Sequence, residues 1–274
     1  MLLPKFDYHE PQTMAETCQI LGHYRERARP LAGGTDLLVN LKKKLLRADH
    51  LVSLHRLAEL QGIENSKGRL RIGAAALVAE IAESSEVHAA APALVDSAGA
   101  LGTPLIRNRA TIGGNIGSAR PAADLPPTLM AYDATLVLQK GAGRREMPVG
   151  EFFKGPGLSC IEPDEIIVEI YISIPPGPFG AGYLNLGVRK SQDCNIVNVA
   201  SYLALDPSGK TIDAARVVMG SVGPTPLRSP SAEALLIGAA PDQKLFEEAG
   251  RAATADCTPI LDFRGSAEYR RAMV

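Results

Sequence analysis

The sequence predicts a mixed α+β fold built from more than one unit. Strand and helix patterns follow one another without a regular βαβ array. A Pro/Gly cluster at residues 175–180 interrupts the pattern and is the best candidate for a domain boundary. The chain has 274 residues, of which 46% are hydrophobic, so it can form one large domain or two modest ones.

The first elements follow from a helix start signal. Thr13 to Glu16 has the spacing of a capping box, and Met14, Cys18 and Leu21 then recur on one helical face. This pattern predicts a helix that begins near residue 14. The residues that follow predict strands at 29–32 and 50–54, separated by a helix at 37–44.

The later elements are read from turn residues and β-branched runs. Hairpins are predicted around Asn65–Gly68 and Gly141–Gly143, and a long strand is predicted at Ile166–Ile174. Helices are predicted at 77–83 and 92–101. Beyond the Pro/Gly cluster, strands are predicted at 196–205 and 211–219 and helices at 231–236 and 241–255. This order of two strands and two helices is typical of an α+β unit.

Two glycine-rich loops, about eighty residues apart, are the most informative feature of the chain. The first consists of Ala32, Gly33, Gly34, Thr35, Asp36 and Leu37, and the second contains Ala110, Thr111, Gly113, Gly114, Asn115, Gly117 and Ser118. Each loop is predicted to follow a strand. Glycine lets backbone N–H groups approach an anion closely. Two such loops at one point would hold a pyrophosphate, which suggests a dinucleotide cofactor.

Each glycine loop alone is weak evidence, because a Gly-Gly pair in a turn is more often structural. Neither loop has the Walker A pattern or the Gly-x-Gly-x-x-Gly pattern. Neither contains Lys or Arg in its glycine segment, so an anion would rest on N–H groups and on the N-termini of the following helices. The nearby Arg107, Asn108 and Arg109 could contact phosphate or another subunit, or could fix the loop through a salt bridge.

The composition excludes several classes of function. The net charge is −1 with a pI of about 6.5 and no basic block, so nucleic-acid binding is not expected. The apolar runs are too short to span a membrane, and the N-terminus lacks a secretory pattern, so a cytoplasmic protein is expected. Four scattered cysteines are expected to be unpaired thiols, and five histidines to be surface or turn residues.

Two longer motifs carry a family resemblance. They run from Ile106 through Ile116 and from Pro121 through Pro127 and are supported by the first glycine loop and by Asp164 to Ile167. The chain resembles the flavoprotein (medium) subunits of molybdenum hydroxylases, such as those of carbon monoxide dehydrogenase, nicotinate dehydrogenase, 4-hydroxybenzoyl-CoA reductase and xanthine dehydrogenase. The resemblance covers nearly the whole chain.

The resemblance implies an FAD-binding domain of the PCMH type, which is similar to vanillyl-alcohol oxidase. That domain would occupy residues 1–175 as two α+β subdomains, at about 1–55 and 56–175. A small C-terminal α+β domain would occupy residues 176–274. These boundaries agree with the position of the Pro/Gly cluster.

The resemblance also implies the site residues. Ala32 to Leu37 and Thr111 to Asn115 would bind the pyrophosphate of FAD, with Ala110 leading into the second loop. Gly117, Ser118 and Asp124 would lie along the ribityl chain and the flavin, and Leu101 and Ile167 near the adenine or the ring system. The alternative for Asp124 is a helix N-cap, and for Leu101 and Ile167 it is ordinary core packing.

Two departures from the family pattern affect the expected chemistry. Many relatives have Lys where this chain has Asn185, and a cation there could contact the flavin or help to dock NAD. Asn185 would keep the hydrogen bonding at the cofactor but loses the charge, which argues against NAD, and the electron acceptor (NAD, quinone or ferredoxin) stays open. The reductase type has a cysteine-rich insertion before the Asp, whereas residues 116–123 contain no Cys here. An iron–sulfur cluster is therefore not expected in this subunit.

The resemblance implies an electron-transfer role. A large subunit would carry the molybdenum cofactor and a small subunit two [2Fe–2S] clusters, in a hetero-oligomer that could be a dimer of heterotrimers. FAD supplies the chemistry in such a role, so no catalytic acid or base is expected in this chain. The alternatives are a stand-alone flavin oxidoreductase of the same fold and a scaffold that has lost its cofactor.

Overall fold

The computed structural model describes residues 2–189 and 192–274. The N-terminal segment forms a small parallel sheet of order β1-β3-β2 with two helices. Its elements are β1 (Asp7–His9), α1 (Met14–Tyr24), β2 (Ala28–Leu31), α2 (Leu37–Lys42) and β3 (His50–Ser53). A 3₁₀ turn at Arg25–Arg27 joins α1 to β2.

Helix α1 begins where the capping box predicts. The Thr13 hydroxyl accepts the amide of Glu16 at 3.2 Å, and the Glu16 carboxylate accepts the amide of Gln12 at 2.9 Å. These bonds satisfy amide groups that a helix start leaves without partners. The helix then buries Met14, Cys18 and Leu21.

An antiparallel five-stranded sheet forms the middle of the molecule, in the order β4-β5-β10-β6-β7. Its strands are β4 (Ile63–Ser66), β5 (Arg69–Gly73), β6 (Thr135–Lys140), β7 (Gly143–Pro148) and β10 (Ile166–Ser173). The pairs β4–β5 and β6–β7 are the two predicted hairpins. Strand β10 is central and is buried on both faces, with an irregularity between Ile167 and Glu169.

Helices and a short hairpin connect these strands. They are α3 (Val78–Glu83), α4 (Ser85–Ala90), α5 (Pro92–Ala100), α6 (Pro104–Arg107), α7 (Ile112–Gly117), α8 (Leu125–Ala131), α9 (Val149–Phe152), β8 (Phe153–Gly155) and β9 (Leu158–Ser159). The second glycine loop begins after α6 at Ala110 and Thr111, but its residues 112–117 form helix α7, so the prediction of a loop at those positions is wrong. The prediction that this loop follows a strand is wrong, because residues 104–107 form α6, which the Thr103 hydroxyl caps.

The C-terminal segment forms an antiparallel sheet of order β11-β12-β13-β14, followed by helices. Its elements are β11 (Phe179–Leu186), β12 (Val197–Leu205), β13 (Ile212–Gly220), β14 (Leu227–Arg228), α10 (Pro230–Leu236), α11 (Gln243–Ala253) and α12 (Ala267–Met273). The predicted pairs of strands and helices are all present. Strands β11 and β14 and helix α12 are additional elements.

The elements stack in layers. One face of the five-stranded sheet packs against α1 through Ile166 and Val168. The other face packs against helices α3, α5 and α8, which also contact the C-terminal sheet through Ala200 and Tyr202. Helices α10 and α11 cover the far face of that sheet. The fold is thus the mixed α+β arrangement that the sequence predicts.

The remaining expectations for cysteine and histidine are met in part. The four cysteines are unpaired, as predicted. His50 contradicts the surface prediction: it is buried, its Nδ1 lies 3.2 Å from Nε2 of His9, and its ring stacks on Tyr24. Within the described residues, no helix combines the length and the apolar character that crossing a membrane requires.

Candidate functional site

The two glycine loops meet in space. An added Cβ at Gly33 would lie only 1.8 Å from the carbonyl oxygen of Arg109 and 3.1 Å from the Cα of Ala110. No residue with a side chain fits there without separating the loops. The structure therefore brings together two segments that the sequence places about eighty residues apart, as the dinucleotide hypothesis requires.

The first loop presents amide groups without partners. It follows β2, and Gly34 adopts a φ of +75°, a left-handed conformation that favours glycine. The Gly34 carbonyl accepts the Leu38 amide at 3.1 Å, which begins helix α2. Among the described residues, the amides of positions 33–36 donate to no carbonyl. Ala32 through Leu37 are half-buried, so these donors remain accessible to a ligand.

In the second loop, the amides of Gly113 and Gly114 already have hydrogen-bond partners within the protein. The Thr111 hydroxyl accepts the amide of Gly114 at 3.1 Å and caps helix α7. The amide of Gly113 donates to the Ala74 carbonyl at 2.8 Å, and the Ala110 carbonyl accepts the Val78 amide at 2.9 Å. These bonds fix the loop against the end of β5. The two loops therefore differ: the first offers free N–H groups and the second a rigid surface.

Side chains of the second loop remain available. Asn115 Oδ1 is buried and has no hydrogen-bond partner in the described residues, which is uncommon for a buried polar atom. The Ser118 hydroxyl donates to the Asn115 carbonyl at 2.8 Å. An added Cβ at Gly117 would lie 3.8 Å from Ile167 Cδ1, so strand β10 borders the loop. Ile167 thus lies beside the predicted site.

Arg120 joins the two loops from the outside, and sequence reasoning missed it. Its Nη2 donates to Asn40 Oδ1 at 3.0 Å, and its Nε lies 3.8 Å from Asp36 Oδ1. Both partners belong to the first loop and α2, whereas Arg120 follows α7. The signal in the sequence is an Arg shortly after the second glycine loop, although its partner is not evident there.

Asp124 lies at the start of α8, but it does not cap the helix through its side chain. Asp124 thus occupies the N-cap position, as the alternative interpretation predicts, without a capping hydrogen bond from its side chain. Its Oδ1 instead accepts hydrogen bonds from the Tyr183 hydroxyl at 3.0 Å and from Asn195 Nδ2 at 2.8 Å. Burial raises the pKa of Asp124, while these two donors act in the opposite direction. As a whole residue, Asp124 is partly buried.

Asn185 and Leu101 have more indirect positions. Asn185 Nδ2 donates to Asn195 Oδ1 at 2.9 Å, so Asn185 reaches Asp124 through Asn195. Leu101 is buried in the same apolar core as Ala110 and Ile167, and its carbonyl accepts Arg107 Nη1 at 3.1 Å. Among the described residues, no ion pair involves Arg107 or Arg109, so the salt-bridge interpretation is not supported.

The arrangement fits FAD. The first loop offers free amides for a pyrophosphate, Asn115 offers an unpaired oxygen, and Asp124 offers an acceptor for hydroxyl groups. Among the described residues, no group of His, Cys, Asp and Glu could hold a metal ion. The class of protein that the fold and the site define is therefore a flavoprotein.

Comparison with known families identifies the chain. Residues 4–176 match the family model described as the FAD binding domain in molybdopterin dehydrogenase. Residues 183–274 match the CO dehydrogenase flavoprotein C-terminal domain. The chain therefore belongs to the FAD-binding subunits of the molybdenum hydroxylase family, which are oxidoreductases, and its cofactor is FAD.

Individual relatives agree with this assignment. The chain is 34% identical to the carbon monoxide dehydrogenase medium chain of Hydrogenophaga pseudoflava, over 100% of this chain and 94% of that one. It is 33% identical to the xanthine dehydrogenase FAD-binding subunit of Escherichia coli O157:H7, over 96% and 90% of the two chains.

Solved structures show the same fold. The chain superposes on carbon monoxide dehydrogenase from H. pseudoflava with a TM-score of 0.95 at 34% identity, over 100% of this chain and 94% of that one. That structure is of a form that lacks the Mo-pyranopterin moiety of the molybdenum cofactor. Quinoline 2-oxidoreductase from Pseudomonas putida 86 gives a TM-score of 0.92 at 29% identity, covering 99% and 93% of the chains.

Proposed function

We propose that this chain is the electron-transfer subunit of a molybdenum-containing hydroxylase or dehydrogenase complex. It would take electrons from [2Fe–2S] clusters on a small partner subunit and pass them to an external acceptor. A large partner subunit would hold the molybdenum cofactor and the substrate. The observation that carries the proposal is the meeting of the two glycine loops in a chain of this family.

The residues of the site have distinct roles in this proposal. The free amides of Gly33 to Asp36 bind the pyrophosphate, while Thr111 to Asn115 close the other side of it. Gly117, Ser118 and Asp124 contact the ribityl chain, and Ile167 and Leu101 pack against the rings. Bound FAD supplies the electron-carrying chemistry. The protein binds and orients it.

The stand-alone oxidoreductase is the weaker alternative. Such an enzyme would need an acid or base of its own beside the flavin. In the described hydrogen bonds to the Asp124 carboxylate, the ionisable groups that could serve are Asp124 and Tyr183. Burial raises the pKa of Tyr183, which makes it a poor proton donor to substrate near neutral pH. The relatives are also named as subunits or medium chains of larger enzymes.

Domain division and location are further parts of the proposal. The FAD-binding domain would end near residue 175 and the C-terminal domain would begin at 176, which is supported by the gap between the two matched family regions. The four unpaired cysteines, two of them partly or fully exposed, are typical of a reducing compartment such as the cytoplasm.

Co-purification from the native host tests the proposal. A tagged chain is isolated under mild conditions, its visible spectrum is recorded, and molybdenum and iron are assayed in every co-purifying chain. Flavin here, with molybdenum and iron in partner chains, is the expected result. Adding NAD, a quinone or ferredoxin to the isolated complex then identifies the acceptor. A flavin-containing chain that turns over a small substrate without partners would favour the stand-alone enzyme.

A further inference from the structure

A chain of hydrogen bonds joins Asp124 to the C-terminal segment of the molecule. We propose that Asn195 and Tyr183 are positioning residues, which hold the Asp124 carboxylate in place for a hydroxyl group of the FAD ribityl chain. The inference rests on the proposed function, since it assumes that FAD occupies the site. It adds that residues of the C-terminal segment, Tyr183 on β11 and Asn195 just before β12, determine how tightly the N-terminal half binds FAD.

The two donors converge on a single oxygen. Tyr183 OH lies 3.0 Å and Asn195 Nδ2 lies 2.8 Å from Asp124 Oδ1. Both residues are almost fully buried, with 7% and 4% of their surface exposed. Within the described ranges, Oδ2 accepts no hydrogen bond from another residue. One oxygen is therefore anchored and the other remains available for a ligand.

Asn195 is itself held from three sides. Its Oδ1 accepts Asn185 Nδ2 at 2.9 Å, and its Nδ2 also donates to the Ala122 carbonyl at 3.2 Å. Its backbone carbonyl accepts Arg264 Nη1 at 3.4 Å. A side chain with so many partners keeps one rotamer, which is the requirement for a residue that orients another.

Tyr183 has a corresponding support. Asn198 Nδ2 donates to the Tyr183 hydroxyl at 3.2 Å and to the Ala123 carbonyl at 3.0 Å. Asn198 is fully buried, and only glycine fits opposite it, because an added Cβ at Gly220 would lie 2.0 Å from its Oδ1. Strands β11, β12 and β13 thus build the support for a carboxylate that belongs to the other half of the molecule.

The network has a consequence for pH. Tyr183 on β11 is the titratable group that the described residues place against Asp124, while Asn195 and Asn198 are neutral, and Arg264 is paired with Asp262. Hydrogen bonds to a carboxylate favour its charged form. If the ribityl hydroxyl donates to this carboxylate, then FAD affinity falls as Asp124 takes up a proton. Loss of a donor moves that fall to higher pH.

Two variants test the positioning role. Asn195→Asp keeps the shape and the oxygen that Asn185 binds, but it removes the donor and places a second carboxylate beside Asp124. Tyr183→Phe removes only the hydroxyl donor. The matched control is Asn65→Asp, the same change at an exposed position on the edge strand β4. The FAD dissociation constant is measured by flavin fluorescence on the complete chain from pH 5 to pH 9.

We expect FAD binding to weaken about tenfold or more at pH 7 in Asn195→Asp, as for loss of a hydrogen bond to a charged group. Tyr183→Phe should weaken it less. In both variants the pH at which affinity begins to fall should lie above that of the wild type and of Asn65→Asp. A merely structural role would instead lower affinity equally at every pH, which would overturn the inference.

The remaining outcomes are also decisive. Circular dichroism shows whether each variant is folded, and if Asn195→Asp is not, the pH profile of Tyr183→Phe decides. Unchanged affinity and pH profile in the folded variants would refute the positioning role while leaving the proposed function intact. Wild-type chain that fails to bind FAD would refute both.

Discussion

At the scale of single residues, Gly33 and Gly114 occupy different environments although both belong to Gly-Gly pairs. Gly33 touches the backbone of Arg109, whereas an added Cβ at Gly114 would meet only the Thr111 hydroxyl, at 2.9 Å. Gly114 is also exposed. Substitution at Gly33 should therefore disturb the structure and the site together, and substitution at Gly114 mainly the site.

The first prediction concerns Gly33→Ala. The methyl group would overlap the Arg109 carbonyl, so the loops must move apart. We expect loss of bound FAD together with a loss of about 1–3 kcal/mol of unfolding free energy, the usual effect of overpacking. Flavin content after purification and urea denaturation measure the two effects.

The control for Gly33→Ala is Gly99→Ala on helix α5, where an added Cβ has no neighbour within 4 Å. This change should leave flavin content unaltered and raise stability by about 0.5–1 kcal/mol, because alanine favours the helix. A Gly33→Ala protein with normal flavin content and stability would contradict the close contact between the loops.

The second prediction concerns Gly114→Val. A branched side chain would stand on the exposed surface that we propose faces the pyrophosphate. Its Cβ would displace the Thr111 hydroxyl, 2.9 Å away, but would meet no backbone atom. We expect loss of FAD while the far-ultraviolet circular dichroism spectrum stays unchanged. Undiminished flavin content would count against the assignment of this loop.

At the scale of elements, helix α12 depends on one buried arginine. Arg270 has 1% of its surface exposed, and its Nη1 donates to the carbonyls of Ile196 at 2.7 Å and Ser221 at 3.0 Å. Its Nη2 donates to Asp262 at 2.8 Å. Hydrogen bonds from Arg264, with the nearby charge of Arg270, lower the pKa of Asp262 to about 2. The helix is thus fixed to the residue before β12, to the residue after β13 and to Asp262 by hydrogen bonds from one charged side chain.

The third prediction follows from this network. Arg270→Met fills a similar volume but leaves the carbonyls of Ile196 and Ser221 without this donor, and it removes one of the donors to the Asp262 carboxylate, which keeps those from Arg264. We expect a loss of about 3–5 kcal/mol of unfolding free energy in urea denaturation. Arg271→Met, the same change at the exposed neighbouring position, should alter stability by less than about 0.5 kcal/mol. Equal stability of the two variants would contradict the structural role of Arg270.

The elements also show what the sequence can and cannot predict. Helix α1 is predictable because its capping box is local, and strands β12 and β13 because they flank a clear turn at Asp206–Gly209. Strand β11 was missed, since it contains Gly180 and Gly182 and begins within the Pro/Gly cluster, and glycine argues against a strand. Its partner strand overrides that local preference.

The same limit applies to the site. The glycine loops were predicted because their chemistry is visible in short motifs, and Asp124 because it lies in a motif of the family resemblance. Asn195 was missed because it contacts Asp124 from 71 residues away in the sequence, and nothing local distinguishes it from other asparagines. Arg120 was missed for the same reason, since its partner Asn40 lies 80 residues away. Tertiary contacts of this kind require the structure.

At the scale of the whole molecule, the helical layer of α3, α5 and α8 is shared by two sheets. Leu94 and Leu129 belong to the same apolar core as Ile170 of the five-stranded sheet and Tyr202 of the C-terminal sheet. Arg216 of β13 also pairs with Asp133 after α8. Because neither sheet has a separate cover on this side, we expect the two halves of the chain to unfold together.

The last prediction tests this coupling with Leu236→Ala. Leu236 lies on α10, is 3% exposed, and packs only in the outer core of the C-terminal segment. Its truncation should cost about 2–5 kcal/mol. The N-terminal half holds FAD. If the two halves are coupled, then the urea concentration at which FAD is released and the one at which circular dichroism is lost should fall by the same amount.

The control is Leu235→Ala, at a neighbouring position that is 43% exposed, and it should change neither urea concentration. The opposite result is that Leu236→Ala releases FAD at the wild-type urea concentration but loses part of its circular dichroism at a lower one. That result would show that the halves unfold independently.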